Sequence, residues 1–487
     1  MVAKRIQSVL LGFLVLLVAV QASGLLVFVP VEALSIYNLK RLLFILFISI
    51  TATLFVTFRF LYSFNFKINA ASVGLFLLLC CAFFSSAISV NPAKSLAFLS
   101  YCLIALLAFQ GLVKGNTTFD AQYPLAVVGL AVAFYAFSFV EYMVALIVFE
   151  QPFFLDTTMY QGFVNQRFLN QVQSWLLPVV CLLPLFVQVP VPLSRSVKGF
   201  VKGLFWLLIG VYVCILFFTG GRGMLAAWTF TLVMFSLWFG RNYFPVVKCA
   251  VGVLLTGTLV YFFFNDFLPW LLSTEAPRIL LARITSSGRL DIWSFAFDLW
   301  LDSPVFGSGP LAYAHYSARF SHPHNFLLWL LTECGLLFTL LLFGFICWGM
   351  WRYQQAISGA VSRLSFERLI QSYGLLTAVT VAFVHSMLSG IYLMPSSHAA
   401  GFLMLTLAYL DYRSLQEKEE RYPIDMETTR HCMQWQRGGG IMCLLLLLSL
   451  GAMLHYLADT HYGFKQTGEI VSNKGRDSPG FWKDGSL

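Results

Sequence analysis

Charge is what this 487-residue chain has least of: Asp, Glu, Lys and Arg make up 11% of it, against 59% hydrophobic residues. No soluble core needs that much apolar surface. A pair of external cysteines is lacking as well. The ten cysteines fall in or beside apolar stretches or, like Cys432, in a loop read as cytoplasmic, which excludes a disulfide scaffold, and no CxxC offers a metal or redox site. The chain has no Gly-x-Gly-x-x-Gly after a strand, no Walker A pattern, no His-Glu-x-x-His and no internal repeat of two halves, so soluble nucleotide-binding enzymes and two-fold transporters lose their usual signatures. The short alternating strands of a membrane β-barrel are absent too.

What is present is long apolar runs. A hydrocarbon layer of ~30 Å takes about twenty apolar helical residues per crossing. Charge-poor spans recur at Gln7–Val31, Leu42–Phe58, Val73–Val90, Ser95–Val113, Leu125–Phe149, Trp175–Val189, Leu204–Thr219, Met224–Gly240, Cys249–Phe264, Phe326–Trp351, Gly374–Leu388, Pro395–Leu410 and Ile441–Leu457. The expected fold is an all-α polytopic membrane protein of about 12–13 transmembrane helices with one long external loop containing amphipathic helices. The expected division is 1–264 for N-terminal spans, 265–325 for the loop, 326–458 for C-terminal spans and 459–487 for a disordered tail. Gln7–Val31 is too long for a signal-peptide core and reads as an uncleaved first helix. Most Lys and Arg fall on alternate loops, which places the N-terminus in the cytoplasm, although Lys40 and Arg41 lie on the opposite side. The net charge of +9 therefore reads as topology, not as a nucleic-acid footprint. Asp411–Arg437 mixes both signs and reads as a solvated linker.

Asn265 to Pro323 is the longest connection, and loops of that length are usually functional. After the turn residues Ser286-Ser287-Gly288, the positions Leu290, Trp293, Phe297 and Trp300 follow at helical spacing and predict an amphipathic helix at the membrane surface. Five histidines, His315, His322, His324, His385 and His398, gather between this loop and the following spans, and Arg222 and Arg289 each follow a glycine at a helix start. Imidazole moves protons near neutral pH. Guanidinium holds phosphate bidentately, and a helix N-terminus adds to that grip. Glu333 and Glu141 fall within spans, where an acid needs a partner or a polar cavity; Glu333 reads as a packing or network residue.

Ser287-Gly288-Arg289 with Trp293, then Gly307-Ser308-Gly309-Pro310, then His324-Asn325 with nine residues to Gly335, resemble the O-antigen ligase and Wzy-type polymerase superfamily in their order. Thr219-Gly220-Gly221-Arg222-Gly223, the stretch Asn165 to Gln171, and His385-Ser386 with Met394-Pro395 look like the same family, over roughly Phe163 to Leu410. Phe338 and the preceding His322-Pro323 depart from the ligase pattern. The resemblance implies a metal-independent, inverting glycosyltransferase of the GT-C type without cofactor. It would be a multi-pass protein of the bacterial inner membrane, with its active site and long loop in the periplasm. The donor would be a glycan on undecaprenyl diphosphate and the acceptor a lipid A core sugar. Alternative acceptors are another lipid-linked glycan, as in a Wzy-type polymerase, or a protein Ser or Thr, as in an O-oligosaccharyltransferase; a lipid-linked glycan or solute transporter is the reading from another class. Carried over residue by residue, Arg222 and Arg289 hold the diphosphate and His324 is the general base. Arg167, Asn325, His322 and His385 are further candidates for the substrate site. His322 falls at the flexible end of the loop, so its loss should matter less than that of His324, which precedes a helix whose dipole keeps it neutral.

Overall fold

The computed structural model describes residues 2–28, 36–61, 70–113, 121–148, 163, 166–186, 194–273, 289–317 and 322–417. These are helical, with no strand among the described residues. In chain order the helices are α1 (Val2–Ala22), α2 (Ile36–Leu61), α3 (Ala70–Ala87), α4 (Pro92–Val113), α5 (Gln122–Val148), α6 (Gln166–Val180), α7 (Leu183–Phe186), α8 (Arg195–Phe218), α9 (Arg222–Phe239), α10 (Phe244–Phe262), α11 (Leu268–Leu272), α12 (Arg289–Leu301), α13 (Ala312–Tyr316), α14 (Phe326–Ala360), α15 (Phe366–Ser386) and α16 (Pro395–Glu417).

Twelve of the thirteen apolar spans coincide with a helix, α6 and α7 sharing one span, while Ile441–Leu457 and the tail lie outside the described residues. Among the described residues nine helical runs are long and apolar enough to cross a membrane, and one of them, Arg222–Leu272, holds both α9 and α10. The apolar part of α3 is short, and α16 carries Asp411, Arg413 and Glu417, so neither enters that count. The chain is an all-α polytopic membrane protein.

The two most enclosed runs are Gln166–Phe186 and Phe366–Ser386, each 83% buried against 28–44% for the rest. Enclosure lets α6 carry polar groups that lipid would penalise. Asn170, Gln171, Gln173 and Ser174 are all buried. Gln173 donates to the Tyr212 carbonyl at 2.8 Å, and Gln171 to Ser389 Oγ at 3.3 Å. Lys40, the misplaced cation of the topology, is also inside the bundle: its Nζ donates to the Gln21 carbonyl and lies 3.8 Å from the centre of the Phe163 ring.

Three local readings change. The stretch from Asp411 is not a solvated linker at its start, because α16 continues to Glu417 and buries Asp411 fully. Its carboxylate meets Arg368 at 2.7 Å and accepts from Tyr353 Oη and Ser372 Oγ, each also at 2.7 Å, which ties α14, α15 and α16 together. A buried charge is tolerable when paired in this way. Glu141 is exposed on the surface of α5, about two turns before its end, and not enclosed in the bundle. On α12 the face packed inward is Ile292, Ala296 and Leu299, with Trp293 beside it, while Leu290 and Phe297 are exposed, Leu290 at the rim of a cavity. Both sides of α12 are therefore apolar.

The long helix α14 is broken. Gly335 has φ 77° and ψ 178°, a conformation open to glycine almost alone, so residues 326–334 form a separate half-helix. The backbone groups freed at the break bond to the Gly-Ser-Gly segment. Ser308 N–H donates to the Thr332 carbonyl and Gly309 N–H to that of Glu333, both at 2.9 Å, while Leu336 N–H donates back to the Pro304 carbonyl at 2.9 Å. Each chain thus satisfies the other's orphan groups. The approach is so close that a Cβ on Gly335 would strike the Val305 carbonyl, and one on Gly307 would strike the Glu333 backbone. The Glu333 side chain is held by the Trp329 indole and by the N–H groups of Leu311 and Tyr313, a network role. Gly335→Ala should cost about 1–3 kcal/mol from backbone strain alone, with the clash in addition. Thermal unfolding in detergent checks this, and an unchanged midpoint would contradict the clasp.

Candidate active site

One end of the bundle gathers three helix N-termini and two C-termini. Helix α8 closes with Gly220 at φ +62°, the N–H of Gly220 bonding the Phe217 carbonyl at 3.2 Å and that of Gly221 bonding Leu216 at 2.8 Å. This is the Schellman closure that a left-handed glycine allows. Helix α9 follows without a linker, and Arg222 is its first residue. Gln166 and Arg167 open α6, Arg289 opens α12, and His385 stands in the last turn of α15.

These ends enclose a cavity of about 520 Å³ lined by Arg167, Asn170, Arg222, Arg289, Trp293 and His385, among others. No carboxylate lines it among the described residues. Burial, together with the charges of Arg167 and Arg222, lowers the pKa of Arg289. Three guanidinium groups at helix N-termini, without an acid in the wall, form a site for a multiply charged anion. The same groups would stabilise charge developing on a departing diphosphate.

Close packing fixes His385. Its Nδ1 is 2.6 Å from Ser174 Oγ, and a Cβ added to Gly223 would lie 3.1 Å from its Nε2. Asn170, buried below the Arg222 turn, accepts from Thr219 Oγ1 at 2.8 Å.

His324, His322 and Asn325 are not part of the cavity wall. His324 is buried behind it, and Trp293, which does line the cavity, donates its indole N–H to the Pro323 carbonyl at 3.0 Å. Burial first, then the charges of Arg167 and Arg289, lower the His324 pKa from 6.5 to about 4. The side chain is neutral at pH 7. The direction is that expected from the helix dipole, but burial and neighbouring arginines cause it here. Asn325 is the N-cap of α14, its Oδ1 accepting from Leu328 N–H at 3.0 Å. His322 is not in a flexible loop end: it is 1% exposed and packs its ring 4.2 Å from that of His324. Proline at 323 and close packing replace the expected freedom. Of the other two clustered histidines, His315 ends α13, and His398 on α16 bonds Tyr101 Oη at 3.0 Å; neither lines the cavity.

Asn170, Ser174, Thr219 and Ser389 carry contacts that motif reading alone does not assign. Asn170 and Thr219 fall within the quoted motif stretches, whereas Ser174 and Ser389 offer no signal beyond small polar residues flanking apolar spans.

Fold and cavity together define a helical multi-pass membrane protein with an arginine-lined chamber at one end of the bundle, whose wall holds no acid among the described residues. Residues 204–343 match the family model described as O-antigen ligase, in line with the resemblance drawn from the motifs. The match runs from α8 through Arg222, Arg289 and His324 into α14, and leaves out Arg167 and His385. It supports an O-antigen ligase type of function in general, that of a glycosyltransferase-type enzyme on lipid-linked glycans. No curated protein matches the chain.

Inorganic diphosphate should bind the purified protein, and Arg289→Ala should weaken it by roughly 10- to 150-fold, the about 1.5–3 kcal/mol of one charge-assisted hydrogen bond. Calorimetric titration measures this; equal affinity in the variant would remove Arg289 from the anion site.

Proposed function

We propose that the protein transfers a glycan from undecaprenyl diphosphate to an acceptor hydroxyl, a lipid A core sugar in the leading reading, at the periplasmic face of a bacterial inner membrane. The observation that carries this is the cavity of Arg167, Arg222 and Arg289, with no carboxylate in its wall among the described residues and the neutral His324 buried beside it. The donor's diphosphate lies among the guanidinium groups. His324 takes the proton of the acceptor hydroxyl, whose oxygen attacks the anomeric carbon as the bond to the diphosphate breaks with inversion. The electron pair leaves with the diphosphate, and guanidinium supplies the charge a metal ion would otherwise give. His324 stands behind the wall, so the acceptor reaches it only when α12 shifts, and water is kept from the donor until then.

Another lipid-linked glycan or a protein hydroxyl would use the same donor grip. Reconstitution with a lipid-linked glycan and each acceptor in turn separates these readings, and transport without glycosylation of any acceptor would favour a carrier. A specific observation favours one variation of mechanism: His385, unlike His324, lines the cavity. Its ring is enclosed by Ser174 and Gly223, which leaves little room for a hydroxyl. Transfer that survives His324→Ala but not His385→Ala would make His385 the base.

Arg222→Ala and Arg289→Ala should each lose on the order of 10²–10³ in transfer rate, by analogy with a lost oxyanion donor. Lysine should rescue either poorly, since a point charge does not reproduce the fork; wild-type rates in the Lys variants would show that charge alone suffices.

The pH profile tests the base directly. His324 with a depressed pKa is active above that value and inactive below it, so the acid limb of kcat/KM should fall near about 4 and not near 6.5. Bound diphosphate offsets the arginine charge, so the limb of kcat should lie higher than that of kcat/KM. Coincident limbs near 6.5 would exclude the buried His324 as the base.

A further inference from the structure

The base named above has an unusual backbone. His324 lies at φ +53°, in the left-handed region that few residues other than glycine, asparagine and aspartate enter. Such a conformation persists only where neighbours hold it. Both polar groups of the peptide unit joining residues 323 and 324 are held. The Pro323 carbonyl accepts from the Trp293 indole at 3.0 Å, and the His324 N–H donates to His322 Nδ1 at 3.1 Å. Accepting at Nδ1 places the proton of the neutral His322 ring on Nε2. The ring is itself fixed, being buried against His324 and against Gly390, where an added Cβ would come within 2.5 Å of its Cε1.

We infer that His322 is a positioning residue for the reaction: its Nδ1 bond to the His324 N–H fixes the left-handed backbone that aims the His324 imidazole. The inference rests on the reading of His324 as the base. A side-chain acceptor bonding the N–H two residues on has the geometry of an Asx turn, which asparagine makes with Oδ1. Asparagine at 322 therefore preserves the interaction while removing the imidazole, and alanine removes both.

The experiment compares His322→Ala, His322→Asn and Gly390→Ala in the full chain, reconstituted with a lipid-linked glycan donor and an acceptor, with kcat, donor KM and inorganic diphosphate affinity as readouts. His322→Ala should lose roughly 10- to 100-fold in kcat, with donor KM and diphosphate affinity within about threefold of wild type. His322→Asn should recover most of the loss. Gly390→Ala should lower kcat by crowding the ring, and adding His322→Asn to it should restore activity, because the shorter side chain vacates the contested space. A wild-type kcat in His322→Ala, or a folded His322→Asn as inactive as the alanine variant, overturns the inference. Should His322→Ala not fold, the asparagine variant and the Gly390 pair decide it by the same criteria. The base reading fails separately, if His324→Ala retains wild-type transfer.

Discussion

The structure at the site end of the bundle depends on one constraint, that backbone groups freed inside a low-dielectric medium must find partners. Breaking α14 at Gly335 strips intrahelical bonds from the carbonyls of Thr332 and Glu333 and from the N–H groups beyond the break. Water is not available there to replace them. The segment from Pro304 to Gly309 supplies both donors and acceptors, and it can lie that close only because positions 307 and 335 carry no Cβ. The break in turn makes residues 326–334 a short element, capped by Asn325 at one end and clasped at the other. His324 is placed by this half-helix, not by the length of α14.

A second consequence concerns charge. Three arginines around one cavity repel one another, and the depressed pKa of Arg289 records that cost together with its burial. A chamber of this kind is stabilised when an anion enters it, because the anion relieves the repulsion. The neutral state of His324 follows from its burial first and then from two of the same cations, since Arg167 and Arg289 disfavour its protonation. Under the proposed function, the groups assigned to donor grip and base are thus electrostatically coupled before any substrate arrives.

Much of the fold was legible because long apolar runs have few alternatives: twelve spans became helices, and the aromatic segment after Gly288 became α12. The ends of elements were less legible, since α16 buries an aspartate that local composition assigned to solvent. Motif residues Arg222, Arg289 and His385 converge on one cavity, as does Arg167. The kink at Gly335 was visible only as an isolated glycine at a fixed spacing from His324-Asn325, and its physical meaning needs the partner segment some thirty residues upstream. The environment of His322 was misread because proline and a loop position suggest freedom, whereas burial against Gly390 removes it.

Helix α12 joins these strands of argument. Arg289 on its first turn faces the anion site, and Trp293 one turn later both lines the cavity and bonds the carbonyl before His324. Residues four apart on a helix share a face, so any movement of α12 that adjusts the arginine to a diphosphate must also move the group holding the Pro323 carbonyl. Under the proposed function, occupation of the donor site and orientation of the base are therefore linked mechanically as well as electrostatically. Phe297 is exposed on the outer side of α12, while the inner side packs through Ile292, Ala296 and Leu299 and is tied by the Trp293 bond to Pro323, the Trp300 bond to Pro304 and the ring contact of Phe295 with Tyr313. A helix anchored on one face alone can shift at less cost than α6 or α15, which are packed on every side.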